Sequence, residues 1–158
     1  MADDKIKEVL GKLQYNVAVV TVGTGGAENG LTVSWLSQVS FDPPMVLIAV
    51  NRNHYSNLHL EGVGGFVVNL LRDDQKELAG RFARQSMEGE SKLEGLDTHE
   101  SESGAPILEG ALAYLDCEVA ETAEAGDHNL FIGKVVDAGV LNDASKPLST
   151  SDGLHYRK

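Results

Sequence analysis

Four polar side chains, Thr32, Ser34, Gln38 and Ser40, fall at alternate positions of the stretch Leu31 to Phe41. In a strand, alternation places them on one face, where hydroxyls and an amide meet solvent or hydrogen-bond a polar planar ligand. Further on, the apolar run Met45 to Val50 ends abruptly in Asn51-Arg-Asn-His-Tyr-Ser-Asn57. Ser56 or Asn57 can cap a short helix through Leu60, leaving backbone N–H groups near Arg52. That arrangement suits a phosphate, although a solvated loop gives the same string. His54 and His59 are five apart, off a common helical face, so they do not form a metal pair. Cys117 is the only cysteine, which excludes an internal disulfide and a cysteine-rich metal site. Its alternation with Asp116 and Glu118 marks it as a small buried apolar residue.

The elements that must carry these residues follow from period and punctuation. Ile6, Val9, Leu10 and Leu13 predict a short helix over Asp3 to Leu13. Val17 to Gly23 predicts a strand, and Thr24 to Gly30 has the glycine and asparagine content of a hairpin loop. No P-loop lysine follows that loop and no helical pattern opens there, which favours a turn over a phosphate cradle. Leu31 to Phe41 predicts one long strand with Leu31, Val33, Trp35, Val39 and Phe41 on its apolar face, although Leu36 and Ser37 break the alternation. Asp42-Pro-Pro44 stops it, since proline cannot donate to the ladder. Met45 to Val50 and Phe66 to Leu71 look like strands buried on both faces. Asp73 to Arg84 predicts a helix with Asp74 and Glu77 as a capping box, Leu78 and Phe82 inward, and Arg81 and Arg84 complementing its C-terminal end. Ala111 to Val119, a turn at Glu124 to His128, and Leu130 to Leu141 complete a β-rich last third. Several strands and only two clear helices predict an antiparallel barrel rather than a doubly wound sheet. The expectation is a single domain over residues 1–158.

The 158 residues carry 24 acidic and 13 basic side chains, a formal charge of −11. Such a surface repels nucleic acid and anionic lipid but tolerates a small anion held by local donors. Gln85 to Ala105 holds six acids and one base, Lys92, without a core pattern, and is expected to be a surface excursion or lid. The longest apolar run has six residues, against the roughly 20 that a membrane helix needs. The acidic N-terminus lacks a hydrophobic signal region, so the expected location is the cytoplasm.

Three segments at this spacing resemble the flavin reductase-like family. Gly30-Leu-Thr-Val-Ser-Trp-Leu-Ser-Gln-Val-Ser-Phe-Asp-Pro-Pro-Met-Val-Leu-Ile-Ala-Val-Asn51 resembles its central strand pair. Gly126-Asp-His-Asn-Leu-Phe-Ile-Gly-Lys-Val135 resembles its second signature, a Gly-Asp-His turn entering a long strand, and Phe66 to Arg84 resembles the strand and helix between. The likeness runs from Val17 to Leu141; the acidic segment after Gln85 matches no functional motif. It implies a mainly β, Greek-key antiparallel, FMN-binding split β-barrel with a few peripheral helices, and a homodimer with flavin at the interface.

The resemblance also implies roles. Thr32, Val33, Ser34 and Trp35 would lie beside the isoalloxazine or the nicotinamide stacked on it, with Thr32, Ser34 and Ser40 as donors to the ring. Ile48 to Tyr55, with Ala49, Val50, Asn51 and Arg52 among them, would follow the ring and ribityl chain, with Asn51, Arg52 and Ser56 nearest the phosphate. Phe82, Ala83 and Arg84 match a segment that closes on the flavin, and His128 matches a histidine that approaches the nicotinamide. No protein side chain is assigned as a catalytic acid or base; the flavin carries the redox chemistry. Two activities fit: an NADH- or NADPH-dependent flavin oxidoreductase serving a partner oxygenase or ferric complexes, or a tightly held FMN electron carrier exchanging with a protein such as a rubredoxin. Thr32 to Ser40 is similar to the carrier branch, in which the bulky Trp35 would shield the ring. His128 argues for the reductase.

Overall fold

The computed structural model describes residues 2–23, 28–53, 64–84 and 91–154. Helix α1 (Ala2–Leu10) precedes β1 (Ala18–Val22), β2 (Asn29–Val33), β3 (Leu36–Phe41), β4 (Pro44–Asn51) and β5 (Gly65–Leu70). Then come α2 (Lys76–Ala83), β6 (Thr98–Glu100), β7 (Pro106–Leu108), β8 (Ala113–Ala125) and β9 (His128–Val140). Seven strands form one antiparallel sheet in the order β2-β1-β5-β8-β9-β4-β3, and β6 pairs with β7. β2 and β3 are the two edges of that sheet, yet only Ser34 and Trp35 separate them in the chain. The sheet must therefore curl until its edges meet. The result is the expected mainly β barrel, with one core inside it and another beneath α2.

The inner core contains Val20, Val22, Leu31, Val33, Val46, Ile48, Val50, Phe66, Val68, Cys117 and Phe131. The second contains Val17, Val19, Leu71, Ala79, Phe82, Leu108, Ala111 and Leu148. β1 supplies both, because alternate valines of a β-branched strand point to opposite faces. Among the described residues, no helix is long and apolar enough to cross a membrane.

Several expectations need correction. The long strand from Leu31 to Phe41 is two strands. The break falls where Leu36 and Ser37 invert the alternation, and Val39 and Phe41 consequently face solvent instead of the core. A bulge between Gln38 and Ser40 adds to the shift. β4 alternates between buried Val46, Ile48 and Val50 and half-buried Met45, Leu47 and Ala49, so it is not buried on both faces. α2 starts at Lys76 with Gln75 before it and no side-chain cap. Asp74 instead accepts from Arg72 Nε at 2.9 Å. In the acidic excursion Glu94, Asp97, Glu100 and Glu102 are exposed, but Leu93 and Leu96 pack on the second core and Lys92 is buried. The short helix and Ser56 predicted after Asn53 lie outside the described residues.

Candidate flavin-binding cleft

Closing the barrel at Ser34-Trp35 brings the end of β2 alongside the end of β4. Ala49 N–H donates to Trp35 O at 2.9 Å, and Leu36 N–H to Ser34 O at 3.1 Å. Between these elements lies a small open cleft lined by Leu31, Thr32, Val33, Ser34, Trp35, Ala49, Val50 and Asn51. The Ser34 hydroxyl is buried there without a hydrogen-bond partner among the described residues. Leaving a buried hydroxyl unpaired costs about 1–3 kcal/mol, so such an atom in a cleft points to a ligand that completes it. Thr32 also lines the cleft, but its hydroxyl donates to Ala79 O of α2 at 2.6 Å.

At one end of the cleft the half-exposed Trp35 indole lies over the His128 imidazole, with ring centroids 4.5 Å apart and planes 31° apart. The Tyr15 ring approaches the same indole at 6.4 Å. His128 opens β9 directly opposite Asn51 of β4, and its Nδ1 lies 2.6 Å from Asp127 Oδ1. A carboxylate there fixes the ring's orientation and keeps a proton on Nδ1. Gly126, at φ +56, makes the tight turn that allows this Asp127-His128 placement. Arg52 leans on the same strand: Nε donates to Asn129 Oδ1 at 2.8 Å, and Arg52 N–H to Asp127 O at 3.1 Å. Its 4.0 Å approach to the exposed Glu124 contributes little. Asn51 Oδ1 accepts from Asn53 N–H at 2.9 Å, turning the chain after β4.

This geometry coincides with relatedness to known proteins. Residues 10–157 match the family model of the flavin reductase like domain. The chain belongs to the flavin reductase-like family. It is 36% identical over 140 residues to a flavin reductase of Pseudomonas putida, covering 88% of this chain and 81% of that protein. It is 32% identical over 136 residues to a high molecular weight rubredoxin of Moorella thermoacetica, covering 85% of this chain and 59% of that protein. Among solved structures, the NADH:FAD oxidoreductase of Streptomyces globisporus C-1027 in complex with NAD and FAD fragments superposes with a TM-score of 0.84. That match has 31% identity and covers 99% of this chain and 92% of the other.

Within the family's expected set, Thr32, Val33, Ser34, Trp35, Ala49, Val50 and Asn51 share one cleft, and Arg52 and His128 meet at its β9 side. The remaining candidates lie elsewhere. Ile48 is fully buried in the inner core. Ser40 pairs with Met45 beside the Asp42–Pro43 turn, at the far end of β3 from the cleft. Phe82 belongs to the second core, whereas Ala83 and Arg84 are exposed at the end of α2. Sequence reasoning overlooked Tyr15, Asp127 and Asn129. The last two flank His128 within one motif, and that adjacency was the available signal.

Proposed function

We propose that this flavin reductase-like protein binds FMN in the Ser34 cleft and passes electrons from NADH or NADPH to an acceptor. The buried Ser34 hydroxyl, without a partner among the described residues, carries the proposal, because it supplies a donor or acceptor that a ring carbonyl or nitrogen of a planar heterocycle would satisfy. Bound flavin would contribute the redox chemistry, accepting a hydride from the nicotinamide. The chain's own part is binding and orientation. Ser34 and the backbone of Val33 to Trp35 would hold the ring edge, and Ala49 and Val50 its apolar flank. Arg52, kept near the cleft by Asn129, would give an acidic protein local positive charge for a phosphate. His128, oriented by Asp127, would help to hold the nicotinamide, with no proton transfer required of it.

Trp35 is the only tryptophan and lines the cleft, so its emission reports occupancy. Titration with FMN should quench it saturably; unchanged emission, with no protein-bound yellow chromophore, would refute the proposal. A parallel FAD titration tests the choice of flavin. The alternative, a fixed FMN carrier reduced by a protein partner, draws on the Trp35 indole lying over His128, where it competes with a second planar ring. A homodimer is proposed on exposed apolar side chains, Phe41 at 90% and Ile6, Val9, Leu10 and Leu13 of the N-terminal segment each above half. A monomeric mass in solution would exclude it.

A further inference from the structure

Lys92 is the one base among the six acids of Gln85 to Ala105, yet it is 2% exposed. A fully buried lysine requires partners for its ammonium. Its Nζ donates to Phe82 O at 3.1 Å and to Arg84 O at 3.0 Å, and lies 5.8 Å from the Phe82 ring centroid. The first carbonyl belongs to the last turn of α2 and the second to the extended residue that ends it. These are acceptors that a helix leaves unpaired, at the negative end of its dipole. The same turn of α2 touches the cleft wall from the other side. Thr32 donates to Ala79 O, and Gly30 of β2 lies so close to the Phe82 ring that an added Cβ would come within 3.1 Å. Arg81 also donates to Glu94 O, so three hydrogen bonds join the helix end to the 91–96 segment.

We infer that Lys92 is a positioning residue for the cleft: it ties the C-terminal end of α2 to the acidic segment and thereby holds the Thr32 wall in place. The inference rests on the proposed flavin site. It gives the acidic excursion a function beyond surface charge, since its single base reaches inward while Glu94, Asp97, Glu100 and Glu102 face water.

The test compares Lys92→Met, Lys92→Arg and Lys92→Gln with Leu93→Ala, a packing change in the same segment that touches neither α2 carbonyl. FMN affinity is read by Trp35 quenching and the visible circular dichroism of bound flavin, and folding by thermal midpoint. Lys92→Met should weaken FMN about tenfold and alter the flavin dichroism, consistent with losing charge-assisted bonds. Lys92→Arg should recover most of that loss, and Leu93→Ala should lower the midpoint while leaving affinity within about twofold. If Lys92→Met does not fold, Lys92→Gln decides: wild-type affinity overturns the inference, and weakened affinity supports it. Equal FMN affinity in wild type and Lys92→Met overturns the inference alone. Absence of FMN binding in wild type overturns the flavin site with it.

Discussion

Val33 and Leu36 are separated by two residues in the chain but end and begin the opposite edge strands of the seven-stranded sheet. The barrel therefore closes across Ser34 and Trp35, and a cleft forms where closure leaves the ladder incomplete. The Ser34 hydroxyl is enclosed by that closure and has no partner among the described residues. Two consequences for Ser34→Ala follow. Flavin affinity should fall about tenfold, ~1.4 kcal/mol, because a ligand group loses its bond. The flavin-free protein should keep its stability within about 0.5 kcal/mol or gain slightly, since no bond is broken. Flavin titration and urea unfolding of the same variant check both; a large stability loss with unchanged affinity would give Ser34 a structural role instead.

Arg52 is held beside the cleft by Asn129 Oδ1 and the His128 carbonyl. If its charge meets the phosphate, Arg52→Ala should weaken FMN by about tenfold or more and riboflavin hardly at all. Comparison of the two dissociation constants decides. Equal losses would place Arg52 against the ring or the fold.

Burial raises the Cys117 thiol from 9.0 to about 12, with the neighbouring Asp116 carboxylate adding to the effect. At pH 8 the thiolate is then about one part in 10,000, and the folded protein should resist alkylation. Reaction should become fast on unfolding in urea. The linkage has a definite sign: the folded thiol keeps its proton while the unfolded one loses it, so this contribution to stability declines as pH rises from 9.0 towards about 12.

Gly133 of β9 lies against Phe66 and Cys117 in the inner core, where an added Cβ would stand 2.7 Å from Phe66 Cζ and from Cys117 Cβ. Gly133→Ala should therefore destabilise by about 1–3 kcal/mol through overpacking. A shift of the urea midpoint at constant slope is the expected reading.

Much of this architecture is written in local pattern. The valines of β1, the Asp42-Pro-Pro44 stop and the Gly126 turn act through their own backbone preferences, and each stands where its residue type places it. The break at Ser34-Trp35 left a mark too, in the inverted alternation at Leu36 and Ser37, but a local period cannot reveal that two ends of a run belong to opposite sheet edges. The cleft residues from Thr32 to Trp35 and Ala49 to Asn51 were legible through family likeness. The direction of their side chains was not, so the Thr32 hydroxyl is found on Ala79 O and Ser40 at the distant turn. The sequence marks Lys92 as the one base of its segment but not its inward turn, because the α2 groups it meets are main-chain carbonyls, which are identical in every sequence.

The most direct test mixes the FMN-loaded protein anaerobically with NADH and, separately, NADPH, following flavin absorbance near 450 nm. Bleaching by at least one nucleotide, faster than for the same concentration of free FMN, is the predicted result. Bound flavin that stays oxidised with both nucleotides, yet is reduced at once by a rubredoxin-type partner, would contradict the oxidoreductase and establish the carrier.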